Sequence, residues 1–222
     1  MGRTALVLGG TGLVGSMLVS ILEGMEEYSA IIVMGRRPLG QGGKKVREVI
    51  ADMDFLKGYS DEFNVDDIYC CLGTTIKKAG SKDSFRKVDF DMPVEAAKLG
   101  SMKGAKNFLV ISSMGADKNS AFFYSRVKGE MEEAVKQYSF NAIHIFRPSL
   151  LLGDRKEFRL GEKLAEWGSK PFSAILPESM KKSFPIPSAT VARAMAKAAL
   201  FDSGGVSIHE SGEIRALGKK DS

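Results

Sequence analysis

The sequence predicts an α/β fold: a Rossmann-type, doubly wound parallel sheet with helices on both faces, formed by a single domain over residues 1–222. Three observations predict it. Short, nearly continuous apolar runs alternate with amphipathic stretches, as in a parallel sheet buried on both faces. A glycine-rich turn joins the first apolar run to the first amphipathic stretch. The chain has 222 residues, which suits one large domain better than two.

The predicted strands are Ala5–Leu8, Ala30–Met34, Lys45–Ile50, Asp67–Cys71, Asn107–Ile111 and Ala142–Phe146, with Val206–His209 as a weaker seventh. The predicted helices are Leu13–Gly24, Ser84–Met102, Ser120–Tyr138 and Thr190–Phe201. After Gly153 the pattern becomes irregular around Pro171, Pro177, Pro185 and Pro187. Residues 154–189 read as a small substrate-side flap within the same domain.

Composition narrows the function classes. The net charge is +5, but lysines and arginines are interleaved with acids, as in Lys128-Gly129-Glu130-Met131-Glu132-Glu133. This reads as a mixed solvated surface with a few anion-binding residues, so no nucleic-acid partner is expected. No apolar run approaches the roughly 20 residues of a membrane span, and no membrane partner is expected. The first strand starts too early for a signal peptide. The two cysteines, Cys70 and Cys71, are adjacent and read as buried strand residues. A reducing, cytoplasmic location is expected. With only two histidines, no metal site is expected.

Gly9-Gly10-Thr11-Gly12-Leu13-Val14-Gly15 is the expected pyrophosphate turn. Gly9 allows the tight turn, Gly12 lets the backbone approach the ligand, and Gly15 allows close helix packing. The helix start supplies free N–H groups and a positive dipole end. At the end of the second strand, where NAD enzymes usually carry an acid, this chain has Gly35-Arg36-Arg37. A guanidinium takes a 2′-phosphate that an acid would repel, so NADP(H) is expected in preference to NAD(H). Asp52 and Met53 after the third strand are expected at the adenine. Cys71, Leu72, Gly73 and Thr74 after the fourth, and Arg147, Pro148, Ser149 and Leu150 after the sixth, are expected to line the cofactor crevice.

Tyr124 and Lys128 stand one helical turn apart and share a face. An ammonium beside a phenol favours phenolate and suits proton transfer to or from a substrate oxygen. Ser113, at the end of the preceding strand, is expected to orient that oxygen. Ser112 also lies at the crevice, but alternation makes it the weaker candidate.

These motifs resemble the short-chain dehydrogenase/reductase superfamily in its atypical branch. Further segments look like the Tat-interacting protein family of oxidoreductases: Cys70-Cys71-Leu72-Gly73-Thr74-Thr75, Lys77-Lys78-Ala79-Gly80-Ser81-Lys82, Phe85-Arg86-Lys87-Val88-Asp89 and Ser112-Ser113-Met114-Gly115-Ala116. So do Phe122 to Glu130 and Phe146 to Gly153. The resemblance implies an NADP(H)-binding Rossmann fold with Ser113, Tyr124 and Lys128 in the catalytic positions. Tyr124 and Lys128 are also cofactor contacts in that reading. Many superfamily members carry Asn on the helix after the fourth strand; this chain has Asp89 at the comparable place. Relatives of this kind often dimerise through helices like Ser84–Met102 and Ser120–Tyr138, so a homodimer is expected.

The leading expectation is an NADP(H)-dependent oxidoreductase acting on a small carbonyl or alcohol. Two alternatives stand beside it: a redox-inactive NADP(H) sensor that regulates a partner, and a nucleotide-sugar epimerase or dehydratase. The first would not need both Tyr124 and Lys128; the second calls for a substantial substrate domain.

Overall fold

The structure is a computed structural model, and it describes residues 2–40, 42–152, 184–201 and 204–220. Seven strands form one parallel sheet: β1 (Arg3–Leu8), β2 (Tyr28–Gly35), β3 (Val46–Ile50), β4 (Asp67–Cys70), β5 (Asn107–Ile111), β6 (Ala142–Arg147) and β9 (Gly205–Glu210). Their spatial order is β3-β2-β1-β4-β5-β6-β9. The order reverses between β1 and β4, which opens a crevice at the carboxyl ends of those strands. A two-residue pair, β7 (Leu151–Leu152) with β8 (Ile186–Pro187), stands apart. Most of the predicted flap lies outside the described residues. Its last residues belong to β8 and to the helix that follows.

Alternation along β1 explains the two-sided core. Ala5 and Val7 pack with α1 (Leu13–Gly24) and α6 (Ser188–Ala198) on one face. Leu6 and Leu8 pack with α4 (Met92–Met102) and α5 (Phe123–Val135) on the other. Each face is almost wholly apolar, so the strands read as continuous hydrophobic runs.

The helix expected over Ser84–Met102 is more divided than its periodicity suggests. Thr75 caps the short α2 (Ile76–Ala79), accepting from the Lys78 N–H, and Gly80 ends it at φ 82°. Ser81 caps α3 (Lys82–Arg86) in the same way. A π-helical turn, Lys87–Asp91, then leads into α4. The helix expected from Ser120 starts at Phe123, because the Asp117–Ser120 segment closes as a turn. A last helix, α7 (Ser211–Leu217), follows β9.

Polar groups pin the amino-terminal edge of the sheet. Asp67 is fully buried, and its carboxylate accepts from Arg3 (2.6 and 2.7 Å), the Tyr28 hydroxyl (2.6 Å) and the Asn107 amide (2.8 Å). This joins the starts of β1, β2, β4 and β5, far from the crevice.

The weak seventh strand brings the two histidines together. His144 Nδ1 lies 3.0 Å from His209 Nε2, and His209 Nδ1 lies 2.8 Å from Glu213. Burial, reinforced by His209, pushes the His144 pKa down to about 4. A histidine of the unfolded chain takes up its proton near pH 6.5, before the folded one does. Stability contributed by neutral His144 is therefore present above that pH and lost as pH falls toward 4. Thermal melts between about pH 6.5 and 5 are expected to lose roughly 1–2 kcal/mol, and His144→Gln to flatten that limb.

Candidate functional site

The glycine turn follows β1 and caps α1. Gly9 has φ 81°, and a Cβ there would lie 2.9 Å from the Cys71 carbonyl, so only glycine fits. At Gly15 a Cβ would lie 2.3 Å from the Gly9 carbonyl, which makes Gly15 a condition of the turn itself. The α1 N-terminus has no side-chain cap and no acid in its first turn. Its N–H groups and dipole suit an anion.

Beside this turn lies a cleft of about 840 Å³. It is within the usual range for a ligand pocket, roughly 300–1,000 Å³. The turn contributes Gly9, Thr11 and Gly12; Gly35 at the end of β2 is followed by Arg36 and Arg37; and the segment after β3 contributes Met53 and Asp54. Cys71, Leu72, Gly73 and Thr74 form the wall after β4. Of the expected cofactor residues, Leu13, Val14, Gly15, Asp52, Ser112, Tyr124, Lys128, Arg147, Pro148, Ser149 and Leu150 do not line it. Val14 belongs to the core, and the Asp52 carboxylate accepts from the Asp54 N–H.

The opposite wall was missing from the sequence reading. Lys78 and Ala79 of α2, then Ser84, Lys87, Val88 and Met92, complete the lining. Lys87 pairs with Asp54 at 2.7 Å, linking two lining residues from different segments; both side chains are about half exposed. Four cations, Arg36, Arg37, Lys78 and Lys87, therefore line a cleft that includes one acid, Asp54.

Ser113, which follows β5, and Tyr124 and Lys128 of α5 do not line this cleft. Ser113 Oγ is buried and has no hydrogen-bond partner within the protein. Tyr124 is 37% exposed, and its ring lies 5.3 Å from that of Phe85. Lys128 is buried, with Nζ 2.8 Å from Asp89 Oδ1 and 3.3 Å from the Ile111 carbonyl. Burial pushes the Lys128 ammonium toward the neutral amine. The Asp89 charge, helped by Tyr124, more than reverses this and holds the pKa above the ordinary lysine value.

Two expected contacts are engaged elsewhere. The Ser112 hydroxyl donates to Glu132 at 2.5 Å, and Arg147 grips the same carboxylate at 2.6 and 3.0 Å. Arg147 also pairs with Glu210 at 3.1 Å. The Glu132 hydrogen bonds hold the Arg147 guanidinium well above its ordinary pKa. Ser112 and Arg147 thus form a brace between α5, β5 and β6. Ser149 is tied down as well, donating from its hydroxyl to the Phe184 carbonyl and from its N–H to Ser211. The Pro148 carbonyl accepts from the Met114 N–H, and Leu150 is exposed.

Gly129 was also unforeseen. The 115–120 loop crosses α5 there, and a Cβ would lie 2.2 Å from Lys118 N and 2.3 Å from the Asp117 carbonyl carbon. Gly129→Ala is expected to push this backbone away from the turn bearing Tyr124 and Lys128. A cost of about 1–3 kcal/mol by denaturant unfolding checks this.

No family model matches the sequence. Among curated proteins, Protein HTATIP2 of Rattus norvegicus is 36% identical over 222 residues, covering 98% of this chain and 90% of the rat protein. The chain belongs to the HTATIP2 family. Protein FMP52 of Candida albicans, named as mitochondrial, is 34% identical over 73% of this chain and 74% of its own length. Other fungal FMP52 proteins similar to this chain carry the same designation. The cytoplasmic expectation is corrected by these relatives, which are themselves named as mitochondrial proteins.

Among solved structures, MoeE5 in complex with UDP-glucose and NAD superposes with a TM-score of 0.72 at 15% identity, covering 97% of this chain and 80% of MoeE5. The Bordetella bronchiseptica enzyme WbmG in complex with NAD gives 0.70 at 15% identity, covering 98% and 76%. At that identity the likeness establishes the fold alone: this HTATIP2-family chain has the Rossmann architecture of those NAD-bound structures.

Proposed function

We propose that the protein is an NADP(H)-dependent oxidoreductase that reduces a small carbonyl or oxidises the corresponding alcohol. The observation that carries this reading is the hydroxyl of Ser113. It is buried without a protein partner, on the strand end beside a helix bearing Tyr124 and a buried, paired Lys128. An unsatisfied buried hydroxyl is costly and calls for a partner. A substrate oxygen supplies one.

The cleft fits a nicotinamide dinucleotide. Its size, the glycine cradle and the uncapped α1 N-terminus suit a pyrophosphate. Arg36 and Arg37 at the β2 end suit a 2′-phosphate, and no acid follows β2 to oppose it. Bound there, NADP(H) supplies or accepts the hydride. Ser113 donates a hydrogen bond that orients the substrate oxygen. Tyr124 passes the proton to or from that oxygen, and the Lys128 ammonium holds the nicotinamide ribose.

Calorimetry with both cofactors tests the phosphate assignment. NADPH is expected to bind more tightly than NADH, and Arg36→Ala/Arg37→Ala to weaken NADPH alone. Charge-assisted bonds of about 1.5–3 kcal/mol predict a loss of roughly tenfold or more. Equal affinities in the wild type would contradict the assignment.

A further inference from the structure

We propose that Asp89 is a positioning residue, which holds the Lys128 side chain and the loop after β4 together with one carboxylate. Its functional consequence rests on the reading of the crevice as a hydride-transfer site; its physical content does not.

Asp89 is 1% exposed and sits in the π-helical turn Lys87–Asp91. Such turns insert an extra residue and often occur at functional sites. The two carboxylate oxygens face different elements. Oδ2 accepts from the Thr74 N–H at 2.9 Å, and Thr74 lines the cleft. Oδ1 lies 2.8 Å from Lys128 Nζ. The same oxygen would lie 3.5 Å from a Cβ at Gly73. The π turn, the loop after β4 and α5 therefore meet at this one side chain.

Both partners are donors, and this explains the residue type. A carboxylate is acceptor-only and serves a backbone N–H and an ammonium together. An asparagine has one acceptor oxygen; satisfying Thr74 would turn its NH2 group toward the Lys128 ammonium. Asp89 is therefore not a neutral substitute for the Asn of other superfamily members. The remaining groups acting on Lys128 are Tyr124, from its own helix, and Cys70, from β4. Cys70 is fully buried, and burial pushes its thiol up to about 12. Asp89 is thus the charge that balances the ammonium. Removing it leaves a buried, uncompensated cation, which responds by losing its proton.

The test is an NMR titration of protein labelled at lysine Cε, with the Lys128 resonance assigned by its loss in Lys128→Met. In the wild type the Lys128 midpoint is expected above the ordinary lysine value of about 10.4. In the isosteric Asp89→Asn variant it is expected to fall by roughly 2–4 pH units. A wild-type midpoint below the ordinary value overturns the proposal without recourse to any variant. So does a midpoint unmoved in Asp89→Asn. NADPH fluorescence titrations on the same samples supply the functional arm. Between pH 7 and 9, Asp89→Asn is expected to lose affinity about tenfold more than the wild type, as the ammonium becomes an amine. Equal losses would overturn the place of Asp89 in the crevice. Failure of the wild type to bind NADPH would contradict the cofactor reading, with the lysine titration still deciding whether Asp89 holds the charge.

Discussion

Tyr124→Phe is expected to reduce turnover by roughly 10²–10⁴, the usual contribution of one positioned general acid. The substitution removes one oxygen and leaves the ring against Phe85, 5.3 Å away. The residue is also 37% exposed. Stability is therefore expected to stay within about 0.5 kcal/mol of the wild type. A catalytic loss without a stability loss separates a chemical role from a packing one. Cofactor affinity is expected to change little, because Arg36, Arg37 and the glycine turn are untouched. A variant retaining most of the wild-type rate would remove Tyr124 from the mechanism.

Gly12→Val is expected to abolish cofactor binding while the protein remains folded. Gly12 has φ −78° and ψ 170°, an extended conformation open to any residue. A Cβ there meets only the Gly9 carbonyl closely, at 3.1 Å, which a small adjustment accommodates. The isopropyl group would nevertheless stand in the cleft that Gly12 lines. NADPH affinity is expected to fall by roughly 100-fold or more, about 2.7 kcal/mol. Gly15 makes a poorer test, since a side chain there collides with the turn itself at 2.3 Å and loss of binding would report misfolding. A folded Gly12→Val protein, checked by circular dichroism, that binds NADPH normally would mean the turn has another role.

The sheet was legible because its strands are buried on both faces, and such strands keep an apolar signal along their whole length. Even the weak Val206–His209 run proved to be the terminal parallel strand, extended to Gly205–Glu210. The helix after β4 was less legible. Its hydrophobic spacing runs through Ser84–Met102, but a π turn interrupts it, and nothing in a 3.6-residue pattern marks an inserted residue. The seven-residue α7 is too short to show a period.

The candidate site divides in the same way. Local spacing marked the glycine turn and the Arg36-Arg37 pair, which line the cleft, and the Tyr124/Lys128 face, which does not. Strand alternation favoured Ser113 over Ser112, and the Ser112 hydroxyl is held by Glu132. Arg147 shows where such reasoning ends. Its position at a strand end suggested the cofactor, yet the carboxylates that occupy it come from α5 and β9, 15 and 63 residues away in the chain. Pairings of that range follow from topology and leave no local pattern. The Asp89–Lys128 pair is of the same kind.

The central claim is that the crevice transfers hydride, and NADPH absorbance followed across a broad panel of carbonyl compounds tests it most directly. The account predicts loss of NADPH absorbance with at least one carbonyl in the wild type, lowered roughly 10²–10⁴-fold in Tyr124→Phe. Tight NADPH binding with no oxidation by any compound in the panel would contradict it.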